Sequence, residues 1–173
     1  MKTLRDLMTP PAHIQGRVEA IVVRGAPRDR ARLVQHTTAL AGIGLADDRL
    51  GQRGEAELST RQVTLIQLEH LPLIAAFARS GPIDPVDLRR NLVISGINLL
   101  TLKNAKVRVG EALIEIVGPC APCSRMEEVI GPGGYAAMRG HGGMTARILE
   151  GGAIRVGDAV GPVSAAAMGR EGR

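Results

Sequence analysis

The sequence predicts a mainly β protein, a closed or partly closed β-barrel with a few short helices. Short stretches rich in β-branched and other aliphatic residues recur along the chain, and glycine-containing turns separate them. Helical spacing of apolar residues is confined to a few stretches. The alternation of strand and helix that a doubly wound α/β sheet requires is missing.

The strands and helices are predicted as follows. Before the two cysteines, strands are expected at residues 17–23, 33–38, 61–67 and 91–95. Residues 99–118 predict two strands around a Val-Gly-Glu turn, and residues 145–163 predict three strands with Gly-Gly and Val-Gly-Asp turns. Helices are expected at residues 68–79, 124–130 and 135–139. Residues 42–54 are expected to form a glycine-rich loop, and long loops in compact domains usually carry function.

The length of 173 residues predicts one domain. We place it at residues 17–163, between a flexible N-terminal arm at residues 1–16 and a flexible tail at residues 164–173. The chain has one Phe, one Tyr and no Trp. Its core must therefore be aliphatic, and base stacking on aromatic side chains is not available to it.

The net charge of +5 does not by itself indicate a nucleic-acid partner, because the basic residues are scattered and no recognition motif accompanies them. No apolar stretch reaches the ~18 residues that span a bilayer. The N-terminus lacks the apolar core of a signal peptide. We therefore expect a cytoplasmic protein without a membrane partner, in a compartment where a Cys pair is more often chemical than structural.

Both cysteines, Cys120 and Cys123, lie in the stretch GPCAPCSRMEEVIGPGGYAAMRGHGG. A dithiol redox pair is one interpretation, but the βαβ setting of thioredoxin-like sites is absent. Zinc is another, with His141 as a third ligand, but there is no second close pair of ligands. In a third, the start of a helix and Arg125 favour a thiolate at Cys123. Buried cysteines are also often plain apolar fillers.

Several separated stretches appear in a distinctive order: ADDRLG, TRQVTLIQ, LRRNLVISG, VGEALIEIVGPCAPC and GGMTARILEGGAIRVGD. This ordered set resembles the MOSC family, named after the C-terminal domain of molybdenum-cofactor sulfurase, and above all its stand-alone bacterial members. The resemblance covers residues 17–163. It implies a MOSC-type β-barrel that binds molybdenum cofactor (molybdopterin), a pterin with a phosphate and a dithiolene.

The resemblance implies roles for particular residues. Cys123 falls on the position of the family's molybdenum ligand, while the role of Cys120 is open. The residues that match the family's pterin-contacting positions are Arg49, Thr60, Arg61, Gln62, Arg89 and Asn91. Arginine suits a phosphate because its guanidinium makes bidentate contacts. Many family members carry Gly-Asp-Arg-His where this chain has Asp47-Asp48-Arg49-Leu50.

Three functions follow from the resemblance. The first is an oxidoreductase that reduces small N-hydroxylated compounds, with Cys123 on molybdenum and electrons from a separate donor protein, since two cysteines are too few for a cluster with four Cys ligands. Asp48 or His141 would assist protonation. The second is a sulfur carrier that holds a persulfide on Cys123. The third is a protein that binds molybdenum cofactor without catalysis.

Overall fold

The computed structural model describes residues 3–8, 10–11, 13–25, 30–49 and 59–163. The strands in this part of the chain are β1 (Gly16–Val23), β2 (Arg32–Val34), β3 (His36–Leu40), β4 (Gly44–Leu45), β5 (Val63–Gln67), β6 (Leu92–Ser95), β7 (Lys106–Val109), β8 (Ala112–Pro119), β9 (Met144–Glu150), β10 (Gly152–Arg155) and β11 (Ala159–Pro162).

Seven of these strands close into a barrel. Their order is β11–β7–β8–β9–β5–β6–β1, and β1 pairs back onto β11 at Gly16↔Val160. β2 extends β1 outside this ring, while β10, β3 and β4 form a separate three-stranded sheet. The predicted mainly β barrel is thus confirmed. Short strands and glycine turns predict a barrel because a sheet that closes on itself needs tight hairpins between neighbouring antiparallel strands.

The helices are short. They are α1 (Leu4–Met8), α2 (His70–Ala78), α3 (Arg125–Ile130) and α4 (Gly134–Met138), with 3₁₀ turns at Pro85–Leu88 and Leu99–Leu102. No helix among the described residues is long and apolar enough to cross a membrane. α1 lies within the predicted arm at residues 1–16, and the predicted tail at residues 164–173 lies outside the described residues.

The parallel strands β5 and β6 lie between two apolar cores, one inside the barrel and one on its outer face. β5 and β6 pair in parallel, so the chain between them must cross over, and it does so through α2. Leu65 and Ile94 point into the barrel, while Ile66 and Val93 alternate to its outer face. On that face they pack with apolar residues of α2, α3 and α4. A helical layer therefore covers one side of the barrel.

The structure departs from the sequence prediction at residues 33–38. A single strand was expected, but the chain changes partner at Gln35, so that β2 pairs with β1 and β3 pairs with β10. The Val-Gly-Glu and Val-Gly-Asp turns are as predicted. Gly110 and Gly157 adopt φ of +55° and +95°, a region that glycine enters without a steric cost.

The barrel core predicts a sharp contrast between two leucines. Leu65 is fully buried and Leu100 is half exposed. We expect Leu65→Ala to lower the free energy of unfolding by about 2–5 kcal/mol, because it removes buried methyl groups and leaves a cavity. Leu100→Ala should change it by no more than about 0.5 kcal/mol. Urea unfolding of both variants tests this, and equal losses would contradict the assigned core.

Candidate functional site

Two loops run side by side where β8 and β9 meet the helical layer. We define the Cys loop as residues 120–124, between β8 and α3, and the Gly loop as residues 139–143, between α4 and β9. β8 and β9 pair up to Pro119↔Met144, so one loop leaves the barrel where the other returns. The Cys120 N–H donates to the Gly143 carbonyl at 2.8 Å. The β8–β9 ladder thus continues into the two loops.

A buried arginine binds both loops. Arg90 is only 5% exposed. Its Nε donates to the Gly142 carbonyl at 2.6 Å and its Nη1 to the Leu88 carbonyl at 3.2 Å. Its Nη2 donates to the carbonyls of Cys120 and Ala121 at 3.3 and 3.2 Å. One guanidinium therefore connects the Cys loop, the Gly loop and the turn before β6.

Three arginines act electrostatically on Cys120, the first thiol of the Cys loop. Burial raises the pKa of Cys120, and this effect exceeds the opposing influence of Arg90, Arg61 and Arg24, whose positive charges lower it. Cys123 adds a smaller upward effect. Burial likewise lowers the pKa of Arg90, while the two thiols oppose that change. The Cys120 thiol therefore keeps its proton near neutral pH despite three nearby guanidinium groups.

The second thiol lies at the boundary between the Cys loop and the helical layer. Cys123 is half-buried and packs against the outer apolar core. Its carbonyl accepts the Met126 N–H at 2.9 Å as α3 begins. Its predicted role as a metal ligand stays a prediction. Neither cysteine is in a disulfide.

Asn91, a predicted pterin contact, holds strands together. Its Oδ1 accepts from the Thr64 N–H at 3.1 Å and the Thr64 hydroxyl at 2.9 Å. Its Nδ2 donates to the Val22 carbonyl at 3.3 Å. The buried amide therefore links the starts of β5 and β6 to the end of β1. A further contact with a cofactor stays a prediction.

The predicted triplet before β5 divides between surface and interior. Thr60 and Arg61 are exposed, whereas Gln62 is buried. The Gln62 Nε2 donates to the Gly42 carbonyl at 2.9 Å, and its Oε1 accepts the Ile148 N–H at 2.7 Å. Gln62 thus connects the barrel to the turn between β3 and β4. Of the three, Arg61 is the one whose charge reaches the Cys loop.

The two remaining predicted arginines, Arg89 and Arg49, are half-buried. Arg89 is half-buried and adopts φ of +59° at the end of the 3₁₀ turn. Arg49 is half-buried and follows Asp48. The Asp48 carboxylate accepts the Arg24 N–H at 2.7 Å and pairs with the Arg24 guanidinium at 3.5 Å. Asp48, considered above for protonation, is therefore engaged in fixing Arg24 at the end of β1.

The Gly loop contacts α2 through a pair of imidazoles, His141 of the loop and His70 of the helix. The rings of His70 and His141 meet edge to face at 5.1 Å, and Phe77 lies 5.6 Å from His141. Both Nδ1 atoms are buried without a hydrogen-bond partner among the described residues. Within those residues no three His, Cys, Asp or Glu side chains are arranged to hold a metal ion. Zinc bound by the Cys pair and His141 thus gains no support.

Comparison with known protein families identifies a family for this chain. A model of the MOSC domain matches residues 28–161. The chain belongs to the MOSC domain family. MOSC domains are associated in general with the binding of molybdenum cofactor. No curated protein matches the chain.

Solved structures agree with the MOSC fold. The YuaD protein from Bacillus subtilis superimposes with a TM-score of 0.73 at 20% identity, over 84% of this chain and 94% of that one. YiiM from Escherichia coli gives a TM-score of 0.64 at 20% identity, over 86% and 70% of the two chains. YiiM from Geobacillus stearothermophilus gives 0.67 at 17%, over 86% and 75%. At these identities the likeness concerns the fold alone.

The residues at the MOSC Cys loop fit a molybdenum cofactor chemically. Molybdenum in a dithiolene is a soft centre that a thiol suits, and the phosphate of a pterin requires cations. Cys120 and Cys123 provide thiols for the metal. Arg24, Arg61 and Arg90 provide positive charge near these thiols. The Arg90 donors bind backbone carbonyls, and the Arg24 guanidinium is paired with Asp48. The exposed Arg61 is therefore the most open of the three to an anion.

Sequence reasoning chose Arg89 and missed its neighbour. The stretch LRRNLV carries both arginines, and no local pattern distinguishes the one that turns inward. Arg24 was missed as well, because its partner Asp48 is 24 residues away.

A glycine substitution tests the contact between the two loops. A Cβ on Gly142 would lie 2.5 Å from the Cys120 carbonyl oxygen and 3.2 Å from the Arg90 Nη2. We expect Gly142→Ala to lower the free energy of unfolding by more than about 1 kcal/mol. A Cβ on Gly81 meets nothing within 4 Å, so Gly81→Ala is the matched control and should equal or slightly exceed the wild type. Similar losses in both variants would contradict the close approach.

The burial of His70 predicts a loss of stability in acid. Burial lowers the pKa of His70, and this outweighs the hydrogen bond to the His141 backbone, which raises it. Below the unfolded-state pKa of about 6.5 the unfolded chain binds more protons than the folded one, so the free energy of unfolding falls as the pH drops toward the folded pKa. We expect His70→Gln to reduce this slope between about pH 7 and pH 5.

Chemical denaturation across that pH range measures the slope. His36 is exposed on β3, so His36→Gln is the control and should keep the wild-type slope. An unchanged slope in His70→Gln would show that His70 does not titrate abnormally.

Proposed function

We propose that this MOSC protein binds molybdenum cofactor at the Cys loop and reduces small N-hydroxylated compounds, with the Cys123 thiolate as a molybdenum ligand. The observation that carries the proposal is the pair of free thiols on a loop that a buried arginine fixes, with further guanidinium groups beside them. The family supports the cofactor in general terms. The substrate class is what the resemblance to the MOSC family implies.

The residues divide into those that would bind the cofactor and those that shape its pocket. Cys123 would bind the metal. Arg61 and Arg89 lie just ahead of strands β5 and β6 and would face the pterin phosphate together with Arg49, with Thr60 adding a hydroxyl. Gln62 and Asn91 would act mainly by holding the strand ends in place, since their amides already bind the protein backbone.

When bound, the cofactor supplies the two-electron chemistry that reduction of an N–O bond requires. The protein's own part is positioning and charge. The Cys loop is fixed before any ligand arrives, which lowers the entropy cost of binding. Arg24 and Arg61 keep positive charge beside the thiols, which favours an anionic group there. The Cys120 thiol, whose pKa burial raises, holds a proton close to the Cys123 site.

Electrons would come from a separate donor protein. The chain holds two cysteines in all, too few for an iron–sulfur cluster with four Cys ligands. An assay therefore has to supply a reductant, and a low-potential viologen dye serves in place of the unidentified donor.

Metal content tests the proposal first. We expect protein purified without oxygen from a host that makes molybdenum cofactor to hold molybdenum and pterin in near-equal amounts with the chain. The molybdenum content of Cys123→Ala should be more than about tenfold below that of the wild type, because the substitution removes a direct ligand. Cys120→Ser should keep most of it. Elemental analysis and pterin fluorescence of the three proteins measure this.

Turnover then separates the remaining functions. The loaded protein with reduced viologen should convert an aromatic amidoxime to the amidine, and Cys123→Ala should not. Bound molybdenum without turnover would leave a cofactor-binding protein that does not catalyse. Absence of molybdenum, with cyanolysable sulfur on Cys123, would replace the proposal by a sulfur carrier.

A further inference from the structure

We propose that Arg90 is the positioning residue of this site: its buried guanidinium fixes the Cys loop against the Gly loop and thereby sets where the two thiols lie. This proposal rests on the proposed function, because that function is what gives the two thiols a role. The geometry of the loops does not depend on that function. Arg90 is not among the residues that the sequence pointed to.

The first argument is the number of acceptors that one side chain serves. Arg90 donates to carbonyls from three chain segments, at Leu88, at Cys120 and Ala121, and at Gly142. Carbonyls in loops have no strand partner, and a buried carbonyl without a donor costs free energy. A planar guanidinium offers five N–H groups in a fixed geometry, whereas a lysine ammonium offers three around one point. Lysine cannot span the same acceptors.

The second argument is the absence of a carboxylate partner. Arg90 is 5% exposed, yet its hydrogen bonds and ion pairs among the described residues include no Asp or Glu. A buried cation without a counter-charge is costly to keep. The carbonyl dipoles that accept its hydrogen bonds are what offset the charge. An apolar side chain at this position would remove the charge but would leave the loop carbonyls without these donors.

The third argument is how closely the two loops approach. The Gly142 carbonyl lies 2.6 Å from the Arg90 Nε, and the place of a Gly142 Cβ is taken by the Cys120 carbonyl and the Arg90 Nη2. The next residue, Gly143, accepts the Cys120 N–H at 2.8 Å. Loss of the Arg90 contacts would therefore release both loops together, while the β8–β9 ladder beyond Pro119↔Met144 would remain paired.

Hydrogen exchange on the cofactor-free protein tests the positioning role. We expect Arg90→Ala to raise amide exchange at residues 120–124 and 139–143 by at least about tenfold, because hydrogen bonds to a charged donor are lost. Exchange within β8 and β9 should stay close to that of the wild type. Arg108 binds the Glu150 carboxylate on the exposed side of the barrel, so Arg108→Ala is the control and should leave both loops unchanged.

Chemical rescue separates positioning from general stability. Millimolar methylguanidinium should enter the space left in Arg90→Ala and restore slow exchange in both loops, while methylammonium at the same concentration should not. In a Cys120→Ser background, where Cys123 is the only thiol, alkylation of Cys123 at fixed pH should change with Arg90→Ala and return toward the unsubstituted rate with methylguanidinium. Unchanged loop exchange, or equal rescue by both cations, would overturn the proposal.

A second variant covers the case in which Arg90→Ala does not fold. Arg90→Lys keeps the charge but not the planar set of donors, and we expect loop exchange between that of the wild type and that of a full loss. Wild-type exchange in Arg90→Lys would overturn the proposal. All of these measurements use protein without cofactor. Absence of molybdenum from the wild type would thus refute the proposed function and leave the role of Arg90 to be judged separately.

Discussion

The site depends on one interaction, the contact of the buried Arg90 guanidinium with backbone carbonyls of three chain segments. It joins the turn before β6 to the two loops that flank β8 and β9. Without it the Cys loop would be tied to the barrel mainly through the Cys120 N–H bond to Gly143. The proposed metal site requires a thiol that is held in one place, and here a side chain from the turn before β6 holds the loop that carries it.

The barrel explains why that contact is possible. β5 and β6 are parallel neighbours, so the crossover between them places α2 on the outside of the barrel, and α3 and α4 pack beside it. The Cys loop enters this helical layer and the Gly loop leaves it. Arg90 sits just ahead of β6, where the barrel, the helical layer and the loops meet. The two cores therefore determine the position of the site.

The fold was largely predictable from sequence, whereas the site was predictable only in part. Short aliphatic strands and glycine turns carry a local signal, so β7, β8, β9, β10 and β11 lie where they were expected. The break at Gln35 has no local signal, because it is set by a change of pairing partner from β1 to β10. The burial of Arg90 rather than Arg89 likewise depends on contacts up to 52 residues away. Asn91 and Gln62 were expected to face a cofactor, but sequence could not reveal that their amides bind the protein backbone.

X-ray absorption at the molybdenum edge tests the central claim most directly, that the Cys loop presents Cys123 to the metal. Protein loaded with cofactor is compared with Cys123→Ser loaded in the same way. We predict one sulfur ligand more in the wild type than in the variant, while Cys120→Ser keeps the wild-type number. An identical sulfur count in the wild type and Cys123→Ser would contradict the assignment of Cys123 as the ligand.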